Sequence, residues 1–340
     1  MYKKAGWLLG VAGIAVVLLL LPAPETTTPV TRTHLAMGTV ITVKFYGEER
    51  DPGPLMELAF AAIDRVDTLM SRHLEASELS RINRLAADQV VSTVPEMSQV
   101  LERAQYFSGL SGGAFDVTVG AVSRLWDFPN ARVPPAAARI AALLPLVGHR
   151  QLQVQDGRVF FRHPGIYLDL GAVGKGFAVD QAVAALQAAG VACGLVDVSG
   201  NIRFWGRKPD GWPWRLGVQH PRLADQQIEV EDLGLPALST SGDYEQYFEY
   251  QGERFHHLLD PATGYPARRA ISATVWTTTA TDADILSTTV FVLGPEAGLQ
   301  LVAALPQAEA LVFFEEGGQL RHRVSAGLEG RLRFAAAPED

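Results

Sequence analysis

Cysteine is nearly absent: the 340-residue chain has one, Cys193. A single thiol excludes an intramolecular disulfide framework and a cysteine-ligated zinc site, so any metal must be held by oxygen or nitrogen. Runs of Lys and Arg are missing after the N-terminus, and the formal charge is −8, from 29 Lys+Arg against 37 Asp+Glu. The chain therefore lacks an electrostatic footprint for nucleic acid. Also missing are an internal repeat and a regular strand–helix alternation, which points to an α+β domain rather than a doubly wound sheet. What is plentiful is apolar material. At 48% hydrophobic residues the chain builds a sizeable core in one large or two moderate domains, and a disordered or fibrous chain is excluded.

Lys3 and Lys4 precede an almost unbroken apolar stretch, Ala5 to Leu21, and the Pro/Thr-rich segment Pro22 to Pro29 follows it. Positive charge before an apolar run and a polar linker after it fit an export signal whose N-terminus stays in the cytoplasm. At about 17 residues the stretch lies between a signal-peptide core and a minimal membrane span, so cleavage and retention as an anchor both remain open. With no cysteine after it, a lipid attached there is excluded. A buried N-terminal helix is the competing reading, and the lack of any polar interruption stands against it. Residues 1–32 are thus expected to be signal or anchor plus linker, and residues 33–335 the folded domain.

Within that domain, His34 to Tyr46 reads as a strand closed by Gly47, rich in Val, Ile, Thr and Phe. Apolar residues at helical spacing predict an amphipathic helix over Leu55 to Leu69. Further helices are expected over Ser98 to Gly109, Ala136 to Leu144 and Phe177 to Ala189. Short strands are expected at Gly194–Val198, Ile202–Trp205, Trp214–Val218, Ala237–Ser239, Ile271–Thr277 and Ala310–Phe314. No internal domain boundary stands out.

Four segments pack glycines and small polar residues beside single acidic, His or Lys residues. In Ser111 to Gly120, paired glycines permit close backbone approach, Phe115 could cover a ring and Asp116 could accept a hydrogen bond; a glycine turn before a strand explains the same residues. In Asp169 to Asp180 a strand passing through glycines into a helix would offer backbone donors, a helix N-terminus and Lys175 to a phosphate. The spacing is neither a Walker A loop nor a G-x-G-x-x-G fingerprint, and a structural turn fits equally. Thr240 to Tyr244, followed by His256 to Pro266, places a histidine near a carboxylate and a Pro/Gly turn, as a general base or as a hydrogen-bonded turn residue. Thr281 to Gly294, if helical, puts Asp284 and Thr288 four apart on one face, as two oxygen ligands for a hard cation. A helix start with Asp282 or Asp284 as N-cap is the alternative, but it leaves Thr288 without a role.

In this order and spacing the segments resemble the ApbE family of flavin transferases. The pieces are Ala114-Phe115-Asp116, Asp169-Leu-Gly-Ala172-x-Gly-Lys175-Gly, Thr-Ser-Gly-Asp-Tyr244, His257-x-x-Asp260-Pro-x-Thr-Gly264 and Ala-Asp284-x-x-x-Thr288, and the likeness runs from about Met37 to about Gly298. The resemblance implies a single α+β domain of the T-fold-like kind with FAD in a deep cleft. It implies FAD contacts at Met37, Ala114, Phe115, Asp116, Asp169, Lys175 and Leu258. It further implies Mg²⁺ on the Ala172 carbonyl, Asp284 and Thr288, and catalysis by His257. Many relatives read Met-Ser-Thr plus an aromatic residue where this chain reads Met70-Ser71-Arg72-His73, so His73 stands where the ring contact is expected. Ser199-Gly200-Asn201 likewise replaces the more frequent Gly-Gly-Asp or Gly-Gly-Asn.

The activity the resemblance implies is transfer of FMN from FAD to a threonine of an acceptor protein, with AMP released. The acceptor would be an exported domain of a membrane redox complex, and the site would lie on the periplasmic face of the inner membrane. Hydrolysis of FAD to FMN and AMP needs the same metal and cleft, so the sequence does not separate it from transfer. A non-catalytic exported flavin-binding protein would not need Asp284, Thr288 and His257 together. A structural surface protein leaves the clustered glycines and acids unexplained.

Overall fold

The computed structural model describes residues 28–46, 51–128, 130–223 and 225–334. The N-terminal apolar stretch lies outside these residues. Eight strands form one sheet: β1 (Val30–Ala36), β2 (Thr39–Tyr46), β3 (Cys193–Val198), β4 (Asn201–Trp205), β5 (Ala237–Gly242), β6 (Ser272–Thr277), β7 (Glu309–Glu316) and β8 (Gln319–Val324). Their spatial order equals their chain order, and every neighbouring pair is antiparallel. Among the described residues seven α-helices accompany them: α1 (Gly53–Met70), α2 (Glu78–Leu85), α3 (Pro95–Leu110), α4 (Gly120–Trp126), α5 (Ala137–Leu143), α6 (Gly174–Ala188) and α7 (Ala280–Ala303). The expected α+β class holds.

Both faces of the central strands are buried: β7 carries the apolar run Ala310–Phe314, and every residue of β6 is buried, its Ser and Thr included. Along them, Ala273, Val275, Ala310 and Val312 join the main core with α6 and α7. The alternate residues Trp276, Leu311 and Phe313 meet Val218 and Ile228 of a small three-stranded sheet on the other face. A third cluster, around Trp126, Ile140, Phe248 and Phe255, packs α4 and α5 against the ribbon formed by Tyr247–Tyr250 and Glu253–His256. Helix α7 is long and apolar enough to resemble a membrane span, but most of it is interior. It bends where Gly294 (φ 79) precedes Pro295, since proline cannot continue the ladder.

Several local expectations are corrected. The single strand over His34–Tyr46 is a hairpin: Met37 (φ 53) and Gly38 (φ 71) form its two-residue turn, the type whose twist suits flanking strands. Strand β1 starts at Val30, so the domain start expected at residue 33 falls inside it. Asp116 leads into a 3₁₀ turn and α4 instead of a strand, and the residues before the α6 glycines belong to no strand. The expected strand Trp214–Val218 shortens to Gly217–Gln219. The N-cap of α7 is Thr279, which accepts from the Asp282 amide, and neither Asp282 nor Asp284 caps it.

Candidate active site

Helices α6 and α7 meet near their N-termini, with the Met37 side-chain tip beside the first residue of α6, and their contact is as close as backbone allows. A Cβ on Gly176, in the first turn of α6, would lie 2.2 Å from the Ala280 carbonyl and 2.8 Å from the Asp284 Cβ. Only glycine fits there. The Gly176 amide donates to Asp284 Oδ2 at 2.9 Å, bringing the acid of α7 onto the N-terminus of α6. Asp180, one turn further along α6, secures the junction by accepting from the Ala280 and Thr281 amides, the Thr281 hydroxyl and Arg203. These bonds satisfy donors that the first turn of α7 leaves unpaired.

Asp284 is 4% exposed, and burial raises its pKa, opposed mainly by the Lys175 ammonium. Its neighbours differ in one respect. Asp282 holds Arg103 through two 2.6 Å contacts, Asp180 holds Arg203 and Asp243 holds Arg222. Among the described residues no Lys, Arg or His lies within ion-pair distance of Asp284. The Thr288 hydroxyl, one turn along α7, bonds Ser241 at 3.2 Å. Ser241 bonds Ser287 at 3.0 Å, Ser287 bonds Ser239 at 3.1 Å, and Ser239 donates to Asn201. Ser287 also donates to the Asp284 carbonyl. This chain of hydroxyls between sheet and helix fixes the face that carries Asp284 and Thr288. It escaped the sequence reading, although Ser239 and Ser241 sit two apart on a strand and so share a face.

His257 follows the two-stranded ribbon, with its amide bonded to the Gln246 carbonyl. Burial, then the nearby Lys175 ammonium, lowers its imidazole to about 4, and the Asp169 charge acts weakly the other way. These couplings bring His257, Lys175 and Asp169 within one electrostatic neighbourhood. Among the described residues the Nδ1 atoms of His257 and His256 are both enclosed without a hydrogen-bond partner. His256 differs otherwise: it is 3% exposed, its Nε2 bonds the Ala267 carbonyl, and its ring packs edge-on against Phe291. Burial lowers it to about 4 as well.

The other expected residues surround this neighbourhood. Met37 donates its amide to Asp67, and its side-chain tip lies over Gly174 at the start of α6. Asp169 accepts from the Gly171 amide through one oxygen and from Arg72 (2.6 Å) and Ser123 (2.9 Å) through the other. Arg72, the residue that departs from the common motif, thus neutralises Asp169. His73 beside it is exposed, near enough for a 3.4 Å contact with the Arg72 Nε. Asp116 is buried, raised in pKa chiefly by burial, and bonded through one oxygen to the Thr118 amide and hydroxyl. Its segment adjoins Asp169, whose amide donates to Val117. Phe115 is 2% exposed inside the core, so its ring does not face a cleft and only its backbone and that of half-buried Ala114 remain for a ligand. The Leu258 side chain is likewise buried, and its carbonyl accepts from Ala267. Ala172 is half-buried in the turn preceding α6.

No group of three or more His, Cys, Asp and Glu side chains converges among the described residues. An open groove lined by Gln105, His149, Arg150 and Arg162 includes none of the expected site residues, and its His149 lies 3.9 Å from Asp116.

The model of the ApbE family matches residues 37–312. A relative from Vibrio cholerae named FAD:protein FMN transferase is 33% identical over 308 residues, covering 88% of this chain and 90% of its own. One of the same name from Treponema pallidum is 32% identical over 330 residues, covering 90% and 89%. The crystal structure of the ApbE protein from Thermotoga maritima superposes with a TM-score of 0.80 at 32% identity, over 90% of this chain and 100% of that one. Shared sequence along most of the length, shared fold and the glycine-tight junction of two helix N-termini lead to one conclusion: the chain belongs to the ApbE family.

Proposed function

We propose that this chain is an exported, membrane-tethered enzyme that transfers FMN from FAD to a threonine of an acceptor protein, with Mg²⁺ bound by the Ala172 carbonyl, Asp284 and Thr288. The observation that carries the reading is Asp284: a buried carboxylate with no side-chain cation of its own, beside Lys175 and a helix N-terminus. One carboxylate with neutral oxygens suits Mg²⁺, which keeps several waters and takes further oxygens from a substrate's phosphates. When bound, the ion supplies Lewis-acid stabilisation of charge on the pyrophosphate.

The chain's own residues do the rest. Lys175, at the N-terminus of α6, holds the phosphates, since a helix N-terminus favours anions. Met37, Ala114 to Asp116, Asp169 and Leu258 line the remainder of the FAD site, with exposed His73 at its rim. The threonine oxygen attacks the FMN-side phosphorus, the phosphorus–oxygen bond to AMP breaks, and the hydroxyl proton passes to His257. An imidazole held near 4 is neutral at physiological pH and has its lone pair free. Phosphate charge opposite Lys175 would offset the second cause of its depression and make it a better base. The acceptor would be a domain of an exported or membrane redox complex.

The test is incubation of the protein with FAD, Mg²⁺ and candidate acceptor domains, with intact-mass analysis. The expected result is an acceptor heavier by one FMN, matched by released AMP and abolished when the acceptor threonine is valine. Release of FMN and AMP with every acceptor unmodified would make the enzyme a hydrolase, and unaltered FAD throughout would refute the reading.

A further inference from the structure

The end of the sheet opposite the candidate site carries a surface that none of the motifs explains. Val30 opens β1 and pairs with Phe45, Tyr46 pairs with Cys193, and Gly194 pairs with Trp205. Register therefore gathers the start of β1, the end of β2, the start of β3 and the end of β4 in one place. From there a loop emerges that reads Gly206-Arg-Lys-Pro-Asp-Gly-Trp-Pro-Trp-Arg-Leu216. Internal bonds hold it. The Trp212 amide donates to Asp210 at 2.9 Å, the Trp214 indole donates to the Gly206 carbonyl at 3.2 Å, and Gly211 takes φ 77. Trp214 packs on Tyr46 and Phe204. Trp212 is left 61% exposed, with the Arg215 guanidinium 5.8 Å from its ring and Arg207 nearby in the loop, while Lys208 pairs with Asp210 at 3.7 Å.

An exposed tryptophan flanked by cations on a firmly held loop has the composition of a membrane–water interface, where an amphipathic ring sits at headgroup depth. The second observation is where the chain comes from. The apolar run ends at Leu21 and β1 begins at Val30, so the residues between reach at most about 30 Å. They enter the domain at this same end. Glu48 and Glu49 follow Tyr46 in the sequence, so aromatic insertion, not net positive charge, must dominate the contact.

We propose that the Arg207–Arg215 loop, with Tyr46 beside it, rests on the headgroup zone of the bilayer holding the N-terminal segment, with Trp212 inserted. The inference depends on retention of that segment as an anchor and not on the transfer chemistry. Its consequence is an orientation. Strand β2 spans eight residues, about 24 Å, so with the strand upright the Met37 turn stands up to that far above the headgroups, and the candidate site lies on the same side, away from them. An acceptor then presents its threonine from the aqueous side at that height. Leu35 and Val40, an exposed cross-strand pair beside the turn, at 76% and 54% exposure, face water or the acceptor.

The test uses the full chain in nanodiscs made with or without brominated lipid. Single fluorescent labels are placed through Trp212→Cys and Val40→Cys, the native Cys193 being buried. The label at 212 should lose a large part of its emission in brominated discs and keep that loss at raised salt, while the label at 40 should be unaffected. An unquenched label at 212 on disc-bound protein, or equal or stronger quenching at 40, overturns the orientation. If Trp212→Cys does not fold, Trp212→Phe gives the same decision. The bromolipid-quenchable tryptophan emission of the wild type must fall in that variant, and no fall overturns the proposal. Co-elution with discs reports on the anchor, and failure to co-elute refutes the proposal while leaving flavin transfer, measured in parallel, to stand or fall separately.

Discussion

At the Met37 end of the sheet the structure buries Asp284, Asp116, Ser241 and His256 and presses backbone against backbone at Gly176. At the Val30 end it packs Tyr46, Phe204 and Trp214 together and leaves Trp212 in solvent. The same four strands, β1 to β4, connect the two. The first end keeps the Asp284 carboxylate out of water with no side-chain cation within ion-pair distance among the described residues, which costs free energy. The second exposes apolar surface that water disfavours. Neither arrangement is what folding alone would select, and each indicates what must come to meet it.

The sharpest way to break that contrast is Asp284→Ala. Flavin transfer should be abolished and the fold kept, because removing the carboxylate takes both charge and a ligand from a hard cation. A rise in melting temperature on adding Mg²⁺ is expected for the wild type and should vanish in the variant. Retained turnover across a magnesium titration would sink the metal assignment.

His257 and His256 come next, as neighbours with different roles. His257→Ala should lower transfer by roughly 10²-fold or more while keeping FAD affinity, as for a base that acts on the acceptor hydroxyl. His256→Ala should instead lower stability, since its ring is bonded to Ala267 and packed on Phe291. Equal effects of the two on transfer would remove the distinction. Gly176→Ala should destabilise the protein by about 1–3 kcal/mol in chemical denaturation, because a methyl group would strike the Ala280 carbonyl, a backbone atom.

A smaller effect is pH-dependent. Both histidines have folded pKa values near 4, below the ordinary value of about 6.5, so the unfolded chain binds more protons between those limits. Their contribution to stability is fully present above about pH 6.5 and is lost as pH falls towards 4. His256→Phe should flatten that decline in melting temperature, and an unchanged slope would contradict the burial argument. The smallest effect belongs to the other end: Trp212→Ser should leave transfer to a soluble acceptor within about two-fold, as expected of an exposed residue distant from the site. A large loss would mean that the two ends are not independent.

Local pattern carried much of the fold. Helical periodicity located α1, α3, α5 and α6 to within a few residues, because a buried stripe imposes its spacing on sequence. It failed at β1 and β2, where Met37 occupies a left-handed conformation that glycine alone would have signalled, and after Asp116, where a strand-like run follows a cap. Site residues followed the same rule. The motifs named Asp284, Thr288, Lys175 and His257, but Arg72 entered only as a departure from pattern, and its pairing with Asp169, 97 residues away, had no sequence signal.

The family and the α+β class were legible in the sequence, since five motifs in register carry both, and its single cysteine excluded an intramolecular disulfide and a cysteine-ligated zinc site. Only tertiary structure decided which carboxylates are free to act. Asp282 and Asp284 are two residues apart on one helix, so periodicity gives them different faces but not different partners. Arg103 on α3 reaches one, the Gly176 amide on α6 meets the other, and contacts between distant segments are set by packing, which no local spacing encodes. Strand register likewise set the exposed tryptophan and the buried acid at opposite ends of one sheet.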